Sequence, residues 1–462
     1  MNRQHKPLHI ASFLLIFTLV IGLITPVTAK AETADGAWPT PPEILAGSAI
    51  LMDADTGAIL YEKDSHARSY PASTTKLMTG LLAVENTSLS DVITFSYAAA
   101  HSYKWDEANI ATKEGEQFTM EQALYAMLLP SANEVAFGIA EYVGGSVPQF
   151  TNMMNERAKK LGALNTHFNN ASGLSDTNHY TTAYDMAMIA RACMNNATLM
   201  AIDSYSDYYK LGPTNKTTTV RNLYQRHEML KNRAHYYEYC EGGKTGFTDE
   251  SGYTLVTFAA KDNMRLVCVL FRENSSEDRY VDTKALLDYG FNNFKKLSVS
   301  SSDISSLFNS SNYYSSNVFG GSDIHFSMDA SSVDLPGNAT MNDVTLIVNN
   351  TMSNTNGTNT AASSSDTFTA GIQFDYQGNT VGTANLVVST PAGKAASTGL
   401  PYLNTVSSTE LSPKKCLVID YRYIIILVIA ILIFCEILDN VRERNRRLRN
   451  RRRRRRGQLP RR

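Results

Sequence analysis

Three short stretches of this chain carry residue types that can act on one another. In Pro71-Ala72-Ser73-Thr74-Thr75-Lys76-Leu77-Met78 a hydroxyl and an amine stand three positions apart. If a helix begins near Ser73, one turn brings Lys76 to the same face. A serine hydroxyl is a poor nucleophile until a neighbouring base takes its proton. A lysine can be that base once burial or a nearby cation disfavours its ammonium form, and Leu77, Met78, Leu81, Leu82 and Ala83 supply an apolar setting. A helix start would also set the positive end of the dipole against a developing oxyanion. By itself, the spacing fits a capped surface helix better than a catalytic one. It recurs at Ser412-Pro413-Lys414-Lys415, where Pro413 and the adjoining apolar run argue against chemistry.

Two further stretches reverse that weighing. Ser131-Ala132-Asn133 follows the apolar run 123–129 and opens a helical pattern over 134–142. Lys244-Thr245-Gly246 lies between Tyr239-Cys240 and the strand-like run 253–258. Ser-x-Asn is a cheap match in a chain this rich in serine and asparagine, since Ser310-Ser311-Asn312 fits too, but Lys-Thr-Gly occurs once. Ser-x-x-Lys, Ser-x-Asn and Lys-Thr-Gly in this order are the signature set of penicillin-binding proteins and serine β-lactamases.

The elements that must position these residues belong to an exported body. At 462 residues and 43% apolar content the chain has room for more than one domain. Its net charge of −1 hides an asymmetry: residues 439–462 hold thirteen arginines against Asp439 and Glu443, about +11, leaving about −12 elsewhere. Arg3, His5 and Lys6, the apolar stretch 10–24 and Ala29-Lys30-Ala31 form a secretory signal, with an uncleaved anchor as the alternative. Five cysteines (Cys193, Cys240, Cys268, Cys416, Cys435) make no disulfide framework at this length. They read as buried free thiols, a Cys240–Cys268 bridge across neighbouring strands being the alternative.

Along the chain, 48–53 and 58–61 read as a hairpin around Asp55-Thr56-Gly57. Helices are predicted from Ser73 and over 121–129, 131–142, 147–161, 182–193 and 278–295, and strands at Lys244, 253–260 and 266–271. Strands, then helices, then strands and a closing helix predict an α+β domain, an antiparallel sheet flanked by helices. From Ser298 composition shifts to Ser, Asn and Thr, with alternating runs at 344–348, 371–374 and 384–388. That predicts a small β domain over 297–412, with a disordered insertion at 349–366.

The uninterrupted apolar run 424–435 spans only about 18 Å, short for a bilayer crossing. Extended to 417–438 it reaches about 33 Å and takes in Asp420, Arg422 and Glu436 near its ends. Arg422 can snorkel, and the arginine block stays cytoplasmic under the positive-inside rule. We therefore expect a spanning anchor, with an interfacial helix as the alternative. Stop-transfer accounts for the tail without a nucleic-acid partner.

Residues 42–296 closely resemble the serine-type D-Ala-D-Ala carboxypeptidases, the low-molecular-mass penicillin-binding proteins. Beyond the three motifs, the hairpin, Asn170-Ala171-Ser172-Gly173-Leu174, Ala183-Tyr184-Asp185 and Leu286-Leu287-Asp288-Tyr289-Gly290-Phe291 look like that family, and the trailing β domain matches it loosely. The resemblance implies a transpeptidase/β-lactamase-like fold: a five-stranded antiparallel sheet with helices and a helical subdomain carrying Ser131 and Asn133. It implies Ser73 as nucleophile, Lys76 as base, Ser131 as proton relay and Asn133 as a hold on the substrate peptide. Lys244 would supply positive potential, Thr245 and Arg279 would bind the terminal carboxylate, and Gly246 belongs to the same strand. The oxyanion hole would be the backbone N–H groups of Ser73 and Phe247, and losing one such donor costs about 10²–10³ in rate. No metal or cofactor is implied.

Without the resemblance, Lys244 reads as a strand-end lysine, Arg279 as a helix-start ion-pair partner, Asp185 as a helix cap, and His179 and His227 as surface or structural. His227-Glu228 lacks the second histidine of a zinc-protease motif, and no Gly-x-Ser-x-Gly elbow is present. The chain also departs from class A β-lactamases: no Glu-x-x-Leu-Asn lies between Asn133 and Lys244, which argues for slow turnover of a penicilloyl-enzyme. The expected organisation is a signal (1–31), a linker (32–41), the catalytic domain (42–296), the β domain (297–412), an anchor (417–438) and a cytoplasmic tail (439–462). The expected activity is removal of the terminal D-alanine from peptidoglycan stem peptides on the outer face of the cell membrane, with β-lactams as covalent inhibitors. A D,D-endopeptidase with the same site, or a catalytically silent wall-binding scaffold, is the alternative.

Overall fold

The computed structural model describes residues 37–104, 106–300, 303, 325–328, 332–354 and 367–389. The first two strands, β1 (Ser48–Asp53) and β2 (Ile59–Lys63), form the expected hairpin. Asp53 Oδ1 closes its turn by accepting the N–H groups of Asp55 and Thr56 at 2.8 and 2.9 Å. A 3-10 turn (Ala72–Thr75) runs into α1 (Lys76–Asn86), followed by β3 (Val92–Thr94), α2 (Tyr97–Ala100) and β4 (Gln117–Thr119). Three helices come next: α3 (Met120–Leu128), α4 (Asn133–Gly144) and α5 (Val147–Lys160). After a loop come α6 (Ala183–Met194), α7 (Ala197–Asp203), and the hairpin β5 (Tyr208–Leu211) and β6 (Arg221–Tyr224). Strands β7 (Cys240–Thr248), β8 (Gly252–Lys261) and β9 (Met264–Glu273) and helix α8 (Asp278–Asn293) complete this part.

Several helices start where a side chain satisfies one of their free N–H groups. Thr119 and Gln122 form a capping box for α3, Ser146 caps α5 and Thr182 caps α6. The five strands pair antiparallel in the order β2-β1-β9-β8-β7, as expected. Their period-2 alternation sends residues to both faces. Ile50, Met52, Val256, Phe258, Val267 and Phe271 meet the helical layer built on α1 and α3–α6. Leu51, Leu255, Leu266 and Leu270 meet Leu286 and Leu287 of α8. Each such buried aliphatic contributes roughly 1.5–3 kcal/mol. Burial on both faces fixes the register that presents β7 as a free sheet edge.

Three expectations need correction. The helix expected from Ser131 begins at Asn133, because Ser131 lies at φ +69° and Ala132 is extended. The closing helix stops at Asn293, and β10 (Phe294–Ser298) crosses to pair with a later strand. Cys240 and Cys268 are free, as the thiol reading expected, since β8 lies between their strands and keeps those strands about two spacings, ~9.5 Å, apart. The insertion expected to be disordered from 349 is strand through Asn354.

The later strands are β11 (His325–Met328), β12 (Ser332–Pro336), β13 (Thr345–Asn354), β14 (Thr367–Tyr376) and β15 (Asn379–Ser389). β12 pairs with β10, and the others form a sheet in the order β11-β15-β14-β13. The three alternating runs fall on β13, β14 and β15 and bury Leu346, Ile372, Phe374 and Ala384 in a separate core. This unit grips the first hairpin. Thr383 donates its N–H to the Thr56 carbonyl at 2.7 Å, the Thr56 hydroxyl bonds Asp334, and Lys296 reaches Asp53 and Asp55 at 3.0 and 2.8 Å. Among the described residues no helix is long and apolar enough to cross a membrane. The stretches expected as signal, anchor and arginine tail lie outside the described residues.

Candidate active site

Ser73 is presented by a strained bend. Ala72 has φ +48°, a left-handed conformation that costs a non-glycine residue about 1–3 kcal/mol and persists only where the surroundings enforce it. The enforcement comes from two glycines. A Cβ on Gly173 would run into the Ala72 carbonyl oxygen, and one on Gly246 would lie 2.9 Å from the Ser73 nitrogen. The Ser73 backbone is thus clamped between the 170–174 loop and β7.

One turn on, Lys76 is fully buried. Its Nζ lies 2.6 Å from the Ser172 carbonyl oxygen, 2.7 Å from Asn133 Oδ1 and 3.0 Å from Ser73 Oγ. The first two oxygens can only accept, so they take two N–H groups. The third direction meets a hydroxyl, which can itself donate. With those two positions filled, an amine that has lost its proton would aim its lone pair at Ser73 Oγ. Burial pushes the Lys76 pKa well below its ordinary value, and the Lys244 cation pushes it the same way against Glu134.

Ser131 and Asn133 flank this pair. Ser131 is 3% exposed, with a left-handed backbone, and its Oγ has no hydrogen-bond partner among the described residues. Asn133 accepts from Lys76 through Oδ1, which leaves its amide N–H groups to other partners. Next to it Glu134 is buried, and its Oε1 accepts the Ile110 N–H at 2.8 Å and the Thr112 hydroxyl at 3.1 Å, tying the cleft wall to the start of α4.

Lys244 sits mid-strand in β7, 1% exposed, opposite Val256. Burial and then the nearby Arg226 bring its pKa down to about 7, with Asp203 opposing. Thr245, Gly246 and Phe247 follow along the free edge, and the Phe247 ring packs on Tyr253. Arg279, in the first turn of α8, reaches Ser276 Oγ at 3.0 Å, the Tyr280 hydroxyl at 3.2 Å and the Gly246 carbonyl at 3.5 Å. Among the described residues it pairs with no carboxylate, so the ion-pair reading of Arg279 fails, as does the strand-end reading of Lys244. Ser73, Ser131, Asn133, Thr245, Gly246, Phe247 and Arg279 all line one cleft of about 1110 Å³, with Lys76 and Lys244 buried behind it.

The structure adds groups the motifs did not reveal. Asn170 Oδ1 accepts the N–H groups of Ser172 and Gly173, shaping the loop whose carbonyl holds Lys76. Arg226 lines the cleft, and its cation bears on both Lys76 and Lys244. His179 is buried against the Thr75 hydroxyl at 2.9 Å, and His227 against Thr257 at 3.0 Å, so both are structural. Asp185 is no cap. Thr182 caps α6, while Asp185 Oδ2 accepts the Asn165 N–H at 2.6 Å and the Thr166 hydroxyl at 2.8 Å. Only the Asn-x-x-Gly turn pattern at Asn170 was open to a reading of the sequence.

The family described as D-alanyl-D-alanine carboxypeptidase matches residues 35–275. D-alanyl-D-alanine carboxypeptidase DacF of Bacillus subtilis is 32% identical over 61% of this chain and 72% of its own. DacD of Escherichia coli, of the same description, is 30% identical over 64% and 74%. Among solved structures, penicillin binding protein 5 from Haemophilus influenzae superposes with a TM-score of 0.58 at 25% identity, covering 77% of this chain and all of that one. The Streptomyces K15 DD-transpeptidase gives 0.51 at 27% identity, over 55% of this chain.

Proposed function

Since the chain belongs to the D-alanyl-D-alanine carboxypeptidase family, we propose the following division of labour in its cleft. The reaction is serine-type hydrolysis of the terminal D-Ala-D-Ala bond. Ser73 Oγ attacks the penultimate D-alanine carbonyl while Lys76 takes its proton. The tetrahedral oxyanion lies against the N–H groups of Ser73 and Phe247. Ser131, whose hydroxyl has no other partner, passes the proton to the leaving amine, and free D-alanine departs. Water, deprotonated in the same way, then attacks the Ser73 ester and releases the shortened peptide.

The substrate chain adds alongside β7, the free sheet edge, as extended peptides do on exposed strands. Asn133 holds its amide, and Thr245 and Arg279 hold its terminal carboxylate. Lys244 stays cationic to keep Lys76 neutral. The observation that carries this reading is the Lys76 amine, sealed from water and hydrogen-bonded to Ser73, Asn133 and Ser172.

The substrate class is the peptidoglycan stem peptide, and β-lactams acylate Ser73 as mimics of it. We further propose that the body acts outside the cell membrane, held by 417–438, with the arginine-rich tail inside. The hydropathy and charge pattern supports this.

The test is D-alanine release from a synthetic D-Ala-D-Ala peptide by the purified full-length protein, beside Ser73→Ala. Release that disappears in the variant supports both the activity and its nucleophile. A folded protein that neither releases D-alanine nor takes up a fluorescent penicillin refutes them. For the topology, protease added to intact cells should remove the body and spare an epitope placed after residue 462.

A further inference from the structure

The lead-in to Lys244 is irregular. The β7–β8 register slips between Cys240 and Gly242, leaving a bulge at Glu241. Gly242 and Gly243 then lie at φ +149° and +137°, where a side chain is strained. A Cβ on Gly243 would strike the Val256 carbonyl oxygen. Bulges bend a strand and re-aim the side chains that follow, so Lys244 points correctly only if this bulge is held. β7 is the sheet edge, so the hold has to come from outside the sheet.

It comes from the end of α7. Asn196 caps that helix, and Leu199 and Ile202 bury it in the core, which delivers Asp203 under the bulge. Asp203 is fully buried. Its Oδ2 accepts the Gly243 N–H at 2.6 Å, and a Cβ on Gly242 would stand 2.7 Å from the same oxygen. Its Oδ1 has no hydrogen-bond partner. Cations crowd Lys244, Arg226 from the segment before β7 and Arg279 from α8, beside the neutral His227 and the buried Lys76 of α1. Asp203 opposes them, and the remaining titratable groups it faces are the thiols of Cys193 and Cys240.

We propose that Asp203 is a positioning residue for the reaction: its carboxylate fixes the bulge that aims Lys244 and supplies the anion that keeps Lys244 protonated. The role rests on the carboxypeptidase reading above. Burial raises the Asp203 pKa to about 7 and the Gly243 N–H and Lys244 lower it, so aspartate and lysine hold each other charged. Loss of the anion lets Lys244 deprotonate at lower pH. The cleft then loses the positive potential of Lys244 that favours the developing oxyanion, and acylation fails sooner on the alkaline side.

The experiment is the pH profile of acylation by a fluorescent penicillin, with thermal unfolding, for the full-length wild type, Asp203→Asn, Asp203→Ala, Lys244→Arg and the Asp203→Asn/Lys244→Arg pair. Asparagine keeps an acceptor for Gly243 and removes the charge. We expect that variant to fold and its alkaline limb to move down by about one pH unit. Alanine also frees the bulge and lowers the rate at every pH. Arginine does not titrate here, so Lys244→Arg should lose the limb, and adding Asp203→Asn should then move nothing.

A folded Asp203→Asn whose profile superimposes on wild type overturns the proposal, as does a shift that persists in the Lys244→Arg background. If Asp203→Asn does not fold, an alkaline limb retained by Lys244→Arg alone is enough to overturn it. A wild type that neither labels nor releases D-alanine refutes the carboxypeptidase reading instead.

Discussion

The Ser172 carbonyl oxygen lies 2.6 Å from Lys76 Nζ, across 96 residues of sequence. With Asn133 Oδ1 at 2.7 Å it takes up two amine hydrogens and leaves the lone pair to Ser73. Lys76 therefore works as a base only because it can lose a proton. Lys76→Arg keeps a long basic side chain but cannot deprotonate. We expect acylation by a fluorescent penicillin to fall about 10²–10⁴-fold at every pH from 6 to 9, with the thermal midpoint below wild type because the guanidinium stays charged in a fully buried site. Activity that recovers in the arginine variant as pH rises would contradict the assignment.

Gly173 is required by space as well as by its φ of +89°. A methyl group there collides with the Ala72 carbonyl and pushes the strained turn that presents Ser73. Gly173→Ala should lose about 1–3 kcal/mol of stability in urea unfolding and acylate slowly even where it remains folded. A stable variant with full activity would show that the 170–174 loop does not set the serine.

His179 couples stability to acid. Burial lowers its pKa from 6.5 to about 4. Between those values the unfolded chain binds the proton and the folded one does not. Its contribution is therefore complete above pH 6.5 and is lost as pH falls toward 4, to a total of about 3 kcal/mol. His179→Gln keeps a polar partner for Thr75 without titrating. The difference in stability between wild type and this variant should shift against wild type from pH 7 to pH 4, and a constant difference would refute the account.

Asp334 works in the opposite direction. Burial between the two units, and then the Asp53 charge, push its carboxyl far above 3.8. The folded protein holds a proton that the unfolded chain has released, so stability declines as pH rises from about 4 toward 8. Asp334→Asn removes that slope and can still accept from Thr56. Its midpoint should run close to wild type at pH 4 and above it at pH 8. Parallel curves would mean that Asp334 is ionised in the fold.

The sequence by itself determined which residue types meet. Ser73 and Lys76 are joined by one helical turn, Ser131 and Asn133 by the approach to α4, and Lys244, Thr245 and Gly246 by one strand, and short-range geometry of this kind is written in spacing. The near-continuous apolar runs at 48–53, 253–260 and 266–271 likewise determined which strands would be buried on both faces. What tertiary structure decided is the state of those residues. Lys76 is buried and oriented by Ser172 and Asn133, far along the chain, which is what the proposed base needs. The charge of Lys244 is set by Asp203, which raises its pKa, against Arg226, which lowers it, and neither belongs to a motif. Burial, electrostatic balance and backbone strain sum over every neighbour in space, and chain order does not encode that sum locally.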